Sequence, residues 1–328
     1  MRRPLVLALL VLAAVVVIVT APLVGSSGIG PGEVLAGTGA ARRIFWSLRV
    51  PRVMTGLLAG MALGAGGMAF QALLRNPLAT PFTLGISGGA ALGATLAIRL
   101  GLAFAVLGVP AVTLLAFGGA LLAVGAVFAV AARARDGSVV TLLLAGVAVS
   151  FTCSSLILLI HYTSDLAGSF NIVRWLMGHL DVVGMAAPAR LAPVVLVGVV
   201  LLLAQHRELD LLSLGDELAA GRGVAVWRAR TILLLVVSLL TAAVVATCGP
   251  IGFVGMMVPH IGRLLVGASH RWLGPATLLL GGVLLVLCDT VARLIAAPAE
   301  LPVGVVTSLL GGPFFLWLLL DKRRRRVR

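Results

Sequence analysis

Apolar runs of about 18 residues or more, long enough to cross a bilayer core as helices, recur from one end of this chain to the other. Among lipid tails an unpaired backbone N–H or C=O finds no water, so such runs must satisfy their own hydrogen bonds as helices. The expected fold class is an all-α polytopic membrane protein of about ten transmembrane helices, one transmembrane domain over 1–328. The approximate spans are 4–24, 53–74, 86–107, 110–132, 139–161, 191–204, 229–249, 251–266, 272–296 and 303–320, with the run 251–266 short for a full crossing. Charged residues make up only 11% of the chain and the mean hydropathy is +1.16, whereas soluble domains carry about 25% charged residues.

The net charge of +14 would suit nucleic acid, but much of it lies in Lys322-Arg323-Arg324-Arg325-Arg326, next to the last apolar run. Aromatic residues are 5% and show no stacking pattern near basic groups, so nucleic acid is not an expected partner. Membrane lipid is: the tail reads as a cytoplasmic anchor facing anionic headgroups. An even number of spans then puts both termini in the cytoplasm. Arg2-Arg3 and the run after them could open a secretory signal, but the run is long and Pro22 follows the only small-residue cleavage site, which favours an uncleaved span. Cys153, Cys248 and Cys288 stand alone in apolar runs, so neither a metal site nor a disulfide framework is expected. Lys322 is the only lysine and no glycine precedes it, so the chain has no GxxxxGK[ST] phosphate loop. HExxH is absent too, and no catalytic residue is expected.

The interruptions between runs carry the information. Residues 26–52 read as an external loop, Gly- and Pro-rich and then basic, with Arg42, Arg43, Arg49 and Arg52. Pro77 and Pro81 forbid a continuous helix through 75–85. Gly85, Gly88, Gly89 and Gly93 allow the third span, interrupted by Arg99, to approach a neighbour closely. Phe170 to Leu180 suits a short interfacial helix. The longest polar break of the second half is 205–230, which holds Glu208, Asp210, Asp216 and Glu217. In it Gly215 breaks the chain, Asp216 is placed to cap a short helix, and Gly221 and Gly223 stop that helix. So many charges exclude burial in lipid, and the segment 205–228 must lie in water or against a partner. If the chain does energy-driven work, another polypeptide supplies the energy, and this segment is where it would be received.

Asp289 and Arg293 stand four apart, acid first, the favourable order for an i,i+4 pair. Asp289 is the one acid placed inside a span, and a proton-driven carrier would need it; a neighbouring arginine works against that use. His260 has no second ligand at helical spacing and reads as a packing histidine after Pro259. Gly249, Gly252 and Gly255 read as a close helix-packing stripe, and Glu300 as a brace for the turn into the last span.

Seven collinear segments carry a resemblance: RVPRVMTGLLAG (49–60), RNPLATPFTLGISGGAALGA (75–94), LLLAGVAVS (142–150), RWLMGHLD (174–181), LDLLSLGDELAAGRGV (209–224), GPIGFVGMMVPHIGRLLVG (249–267) and CDTVARLIAAPAELPVGVVTSLLGGPFF (288–315). In these the chain resembles the FecCD family of ABC-transporter permeases, importers of iron–siderophore chelates, haem and vitamin B12. The resemblance implies a vitamin B12 permease-like fold with two inverted halves, helices two to five and seven to ten. It implies a second permease subunit (a homodimer), cytoplasmic ABC ATPase subunits, an extracytoplasmic substrate-binding protein, no cofactor, and a place in the bacterial inner membrane. Gly215, Glu217, Ala219 and Gly223 match the family's ATPase-coupling pattern, with Asp216 and Ala220 in the same helix; Gly221 departs from it. Arg49, Arg52 and Arg293 match the arginines that meet acids of the binding protein in the vitamin B12 importer. Ferric siderophore is the expected cargo, with haem and cobalamin as the others. The alternative reading is an ion-coupled secondary transporter working without an ATPase.

Overall fold

A computed structural model of the chain describes residues 3–25, 39–133, 139–297 and 299–326. Its helices are α1 (Arg3–Thr20), α2 (Gly39–Ile44), α3 (Val50–Leu73), α4 (Ile86–Arg99), α5 (Ala111–Arg133), α6 (Val139–Tyr162), α7 (Leu166–Leu176), α8 (Ala186–Ala204), α9 (His206–Leu214), α10 (Asp216–Gly221), α11 (Val226–Cys248), α12 (Val254–Val266), α13 (His270–Ile295) and α14 (Val303–Arg326). Seven helical stretches among the described residues are long and apolar enough to cross a membrane: Arg3–Leu23, Gly39–Leu73, Ala111–Arg133, Val140–Tyr162, Ala186–Ala204, Val226–Cys248 and His270–Ile295. Shorter apolar helices, Val254–Val266 and Val303–Leu318, occupy the places of the eighth and tenth expected spans.

Several boundaries differ from those expected, each for a local reason. The third span does not run to 107: α4 ends at Arg99, and Ala105–Val106 (β1) pairs antiparallel with Val109–Pro110 (β2) in a small hairpin. Gly101 and Gly108, both at positive φ, supply the turns. The basic segment before the second span is helical rather than loop from Gly39 onward, passing through a π-turn at Phe45–Arg49 before Pro51 opens the regular helix. The interfacial helix lies earlier than expected, at Leu166–Leu176, because Asp165 caps it by accepting from the Gly168 N–H at 3.2 Å. The sixth span begins at Ala186 and carries Pro193 inside it. The last helix continues through the basic tail to Arg326; the side chains of the tail, and Arg135, lie outside the described residues.

Two features organise the packing. In lipid there is no hydrophobic drive between helices, so small residues that let backbones meet take over. A Cβ on Gly60 would collide with the Gly281 backbone, and one on Gly67 with the Gly255 backbone, so α3 lies directly against α13 and α12. Of the expected glycine stripe, Gly255 meets Leu63 and Gly67, Gly249 meets Trp175 and Gly178, and Gly252 has ordinary room. The packing is also reciprocal: α3 lies against α12 and α13, while α11 lies against α4 and α5. Each half thus lays its first helix against the second and third helices of the other. Cys153, Cys248 and Cys288 are buried free thiols.

Candidate functional site

The connections gather at two ends of the bundle, and each end holds a charged cluster. At the end away from the termini the centre is Asp289, 1% exposed on α13. Arg52 of α3 donates to it from Nε at 3.0 Å to both oxygens and from Nη2 at 2.9 Å. The same guanidinium reaches Glu300 through Nη1 and lies 3.3 Å from Asp181, which in turn pairs with Arg174 at 3.0 Å. Arg293 sits 3.2 Å from Asp289 through Nε, a charge contact rather than an aligned hydrogen bond. Its other nitrogens donate to the carbonyls of Val24 and Ala21. Arg49 donates to the carbonyls of Pro22 and Leu23.

The three arginines expected to dock a binding protein are therefore brought together, but each is engaged within the chain. Arg49 and Arg293 are 6% and 5% exposed, and both hold the turn that ends α1 by satisfying its last carbonyls. Arg52, the least buried of the three, lines an open cavity of about 500 Å³ with Arg174, His179, Asp181 and Glu300, and all three arginines line a second one of about 380 Å³. Glu300, in the turn after α13, pairs with Arg52. The sequence assigns Asp181 no role; only the seven-residue spacing from Arg174 to Asp181 hints at a pair. Between α7 and α8, His179 donates its backbone N–H to the Cys248 carbonyl at 2.7 Å. Its buried Nδ1 lacks a hydrogen bond among the described residues. Burial pushes its imidazole below the usual histidine range, against the pull of Asp181 and with the repulsion of Arg174 and Arg52.

At the other end lies the polar segment between α8 and α11. It folds as two short helices joined at Gly215, whose φ of 133° and ψ of 154° suit glycine. Asp216 does not cap α10, as expected, because Gly215 holds the N-cap position. Instead Asp216 binds Arg230 of α11 at 2.8 Å and lies 3.9 Å from Arg75, just past α3. Ala219 is fully buried, while Glu217 and Ala220 are exposed and Leu218 is 59% exposed. The helix stops at Gly221, and Gly223 turns the chain at a φ of 84°. Upstream, Asp210 accepts from the His270 backbone N–H at 2.9 Å and contacts its Nδ1 at 2.6 Å, capping α13 from outside. His270 is thus buried and engaged. Short helices that could not persist alone are anchored to α3, α11 and α13, with one face turned outward. His260 packs its ring edge-on against Phe314 at 5.8 Å, and no cluster of three metal-ligating side chains occurs among the described residues.

Comparison with known proteins agrees with this architecture. The family model described as the FecCD transport family matches residues 10–321. The hemin transport system permease protein HmuU of Yersinia pestis is 42% identical over 284 residues, 86% of this chain and 85% of that protein. The cobalamin import system permease protein BtuC of Halobacterium salinarum is 42% identical over 290 residues, 88% of this chain and 76% of that protein. Among solved structures, one described as an inward-facing conformation of a metal-chelate type ABC transporter superposes with a TM-score of 0.85 at 32% identity, covering 97% of this chain and 99% of that one. A chain of PsaBC from Streptococcus pneumoniae shares the fold at a TM-score of 0.56 and 15% identity. A bundle of apolar helices with reciprocal halves, matched along its length by these permeases, belongs to the FecCD transport family and is a multi-pass membrane permease of the ABC-transporter type rather than an enzyme.

Proposed function

We propose that this chain carries a metal chelate across the bacterial inner membrane as the permease subunit of a binding-protein-dependent importer, driven by separate ATPase subunits. The end with both termini is cytoplasmic in this reading, and a second copy of the chain completes the path. The observation that carries it is α10: Gly215, Asp216, Ala219 and Gly223 shape and anchor the helix, leaving Glu217, Leu218 and Ala220 outward. Force on that face passes through Asp216 to Arg230 and Arg75, hence to α11 and the end of α3, the first helices of the two halves. Alternating access then follows from rocking one half against the other.

The outer cluster supports docking of an acidic partner at Arg52. Arg49 and Arg293 act as positioning residues that hold the α1 turn beneath it. The cargo class is that of the relatives, whose names specify hemin and cobalamin; ferric siderophore remains the third candidate. The secondary-transporter alternative is disfavoured because Asp289, its one candidate carrier, is held by two arginines.

Charge reversal by Glu217→Arg tests the reading. A reversed charge on a docking face costs several kcal/mol, so ATP-dependent uptake in proteoliposomes should fall more than tenfold, with co-purification of the ATPase lost and helix content unchanged. Undiminished uptake and assembly in that variant would remove the coupling role from α10.

A further inference from the structure

The geometry points to a binding site for an anionic phospholipid headgroup beside the polar segment, distinct from the outward face of α10. An open groove of about 380 Å³ runs between the start of α9 and the first turns of α11. Three arginines line it, Arg207, Arg222 and Arg228, together with a single carboxylate, Glu208. All three arginines are exposed, and among the described residues none of them makes a side-chain hydrogen bond or ion pair. Two other arginines at this end are engaged: Arg230 is bound to Asp216 and Arg263 to Gln71. Three unpaired guanidiniums around one cavity repel one another, and they match a phosphate ester, which accepts forked N–H donors.

Position selects lipid as the source of that phosphate. Gln205, on the groove wall, is the first residue after the candidate span Ala186–Ala204, and Arg228 lies in the first turn of the candidate span Val226–Cys248. The groove therefore opens where two membrane helices pass the headgroup layer. Apolar residues flank it on the bilayer side: Ile232 within the groove and Leu201 one turn back, 38% and 43% exposed. Trp227, 64% exposed beside Arg228, has the amphipathic ring that settles at headgroup depth. By contrast Glu217, Leu218 and Ala220 take no part in the groove, whose wall stops at Leu211 and resumes at Arg222. A headgroup bound here would bridge both ends of the polar segment and fix it relative to the membrane plane.

The test uses the purified full-length chain in detergent, titrated with phosphatidylglycerol or phosphatidylcholine and read by native mass spectrometry. Retention of phosphatidylglycerol over phosphatidylcholine is expected. Each arginine-to-glutamine change should lower that retention roughly fivefold, since one cation near an anionic surface contributes about 1 kcal/mol. Arg207→Gln and Arg228→Gln are read singly as well as in the triple variant with Arg222→Gln, so that one poorly folded protein does not decide the matter. Arg174→Gln, at the far end of the bundle, should leave retention unchanged. Equal retention of the two lipids, or full retention by the triple variant, overturns the site. Displacement of the lipid by millimolar inorganic phosphate would show a soluble-phosphate site instead and overturns the lipid assignment. So would a triple variant that holds its lipid but no longer co-purifies with the ATPase, which would assign the groove to a protein partner.

Discussion

Replacing Asp289 with asparagine isolates the charge that the far end of the bundle is built around. The side chain keeps its shape but loses the charge that faces Arg52 and Arg293 at 2.9 and 3.2 Å. Removing one partner of a buried ion pair costs about 3–5 kcal/mol, because the other charge stays desolvated. Two features place the expected loss at the lower end. Arg52 keeps Glu300 and Asp181, and Arg293 keeps the carbonyls of Val24 and Ala21. We therefore expect Asp289→Asn to destabilise the purified protein by about 3 kcal/mol, measured by denaturation in mixed dodecyl sulfate and dodecyl maltoside micelles. Glu300→Gln removes a charge whose side chain is 43% exposed, and should cost less than about 1 kcal/mol. In a double-mutant cycle, Arg52→Gln should cost much less in the asparagine background than in the wild type, because the shared interaction is already gone. A loss below about 1 kcal/mol for Asp289→Asn, or equal costs for it and Glu300→Gln, would refute the view that Asp289 centres the cluster.

Two further outcomes follow from local geometry. His179 has its folded-state pKa depressed by burial, so the unfolded chain binds the extra proton and stability is full only above the usual histidine value of about 6.5. Stability should fall as pH drops below that value, and His179→Gln should flatten the slope of unfolding midpoints between pH 7 and 5; an unchanged slope would exclude His179 as its source. Gly67→Ala places a methyl against the Gly255 backbone and should destabilise by about 1–3 kcal/mol. Gly125→Ala on α5, with open space around it, should be neutral or stabilising by up to about 1 kcal/mol. Micellar denaturation of the two alanine variants separates them, and equal behaviour would remove the close approach of α3 and α12.

The sequence by itself determined the class of fold, because lipid solubility and backbone hydrogen bonding act on each apolar run separately, whatever its neighbours do. It also marked where those runs break, since proline, glycine and charge punctuate a chain locally. Thus the stop of α10 at Gly221 and the broken passage at Pro81–Leu84 were legible in advance. Where local signals competed, the reading slipped: the run through Arg99 and Leu107 looked like one span, and two positive-φ glycines made it a helix and a hairpin. Only the tertiary structure decided who pairs with whom. Arg52 and Asp289 are 237 residues apart, and no periodicity links them. Asp216 was expected to cap its own helix and instead binds Arg230 and Arg75, a choice set by how α10 lies against α11 and the end of α3. Asp210, one of the four acids of the polar segment, caps a helix that begins at His270, 60 residues later. An ion pair takes its partner from whatever the packed helices bring within reach, so the charged clusters at both ends are properties of the assembled bundle rather than of any one segment.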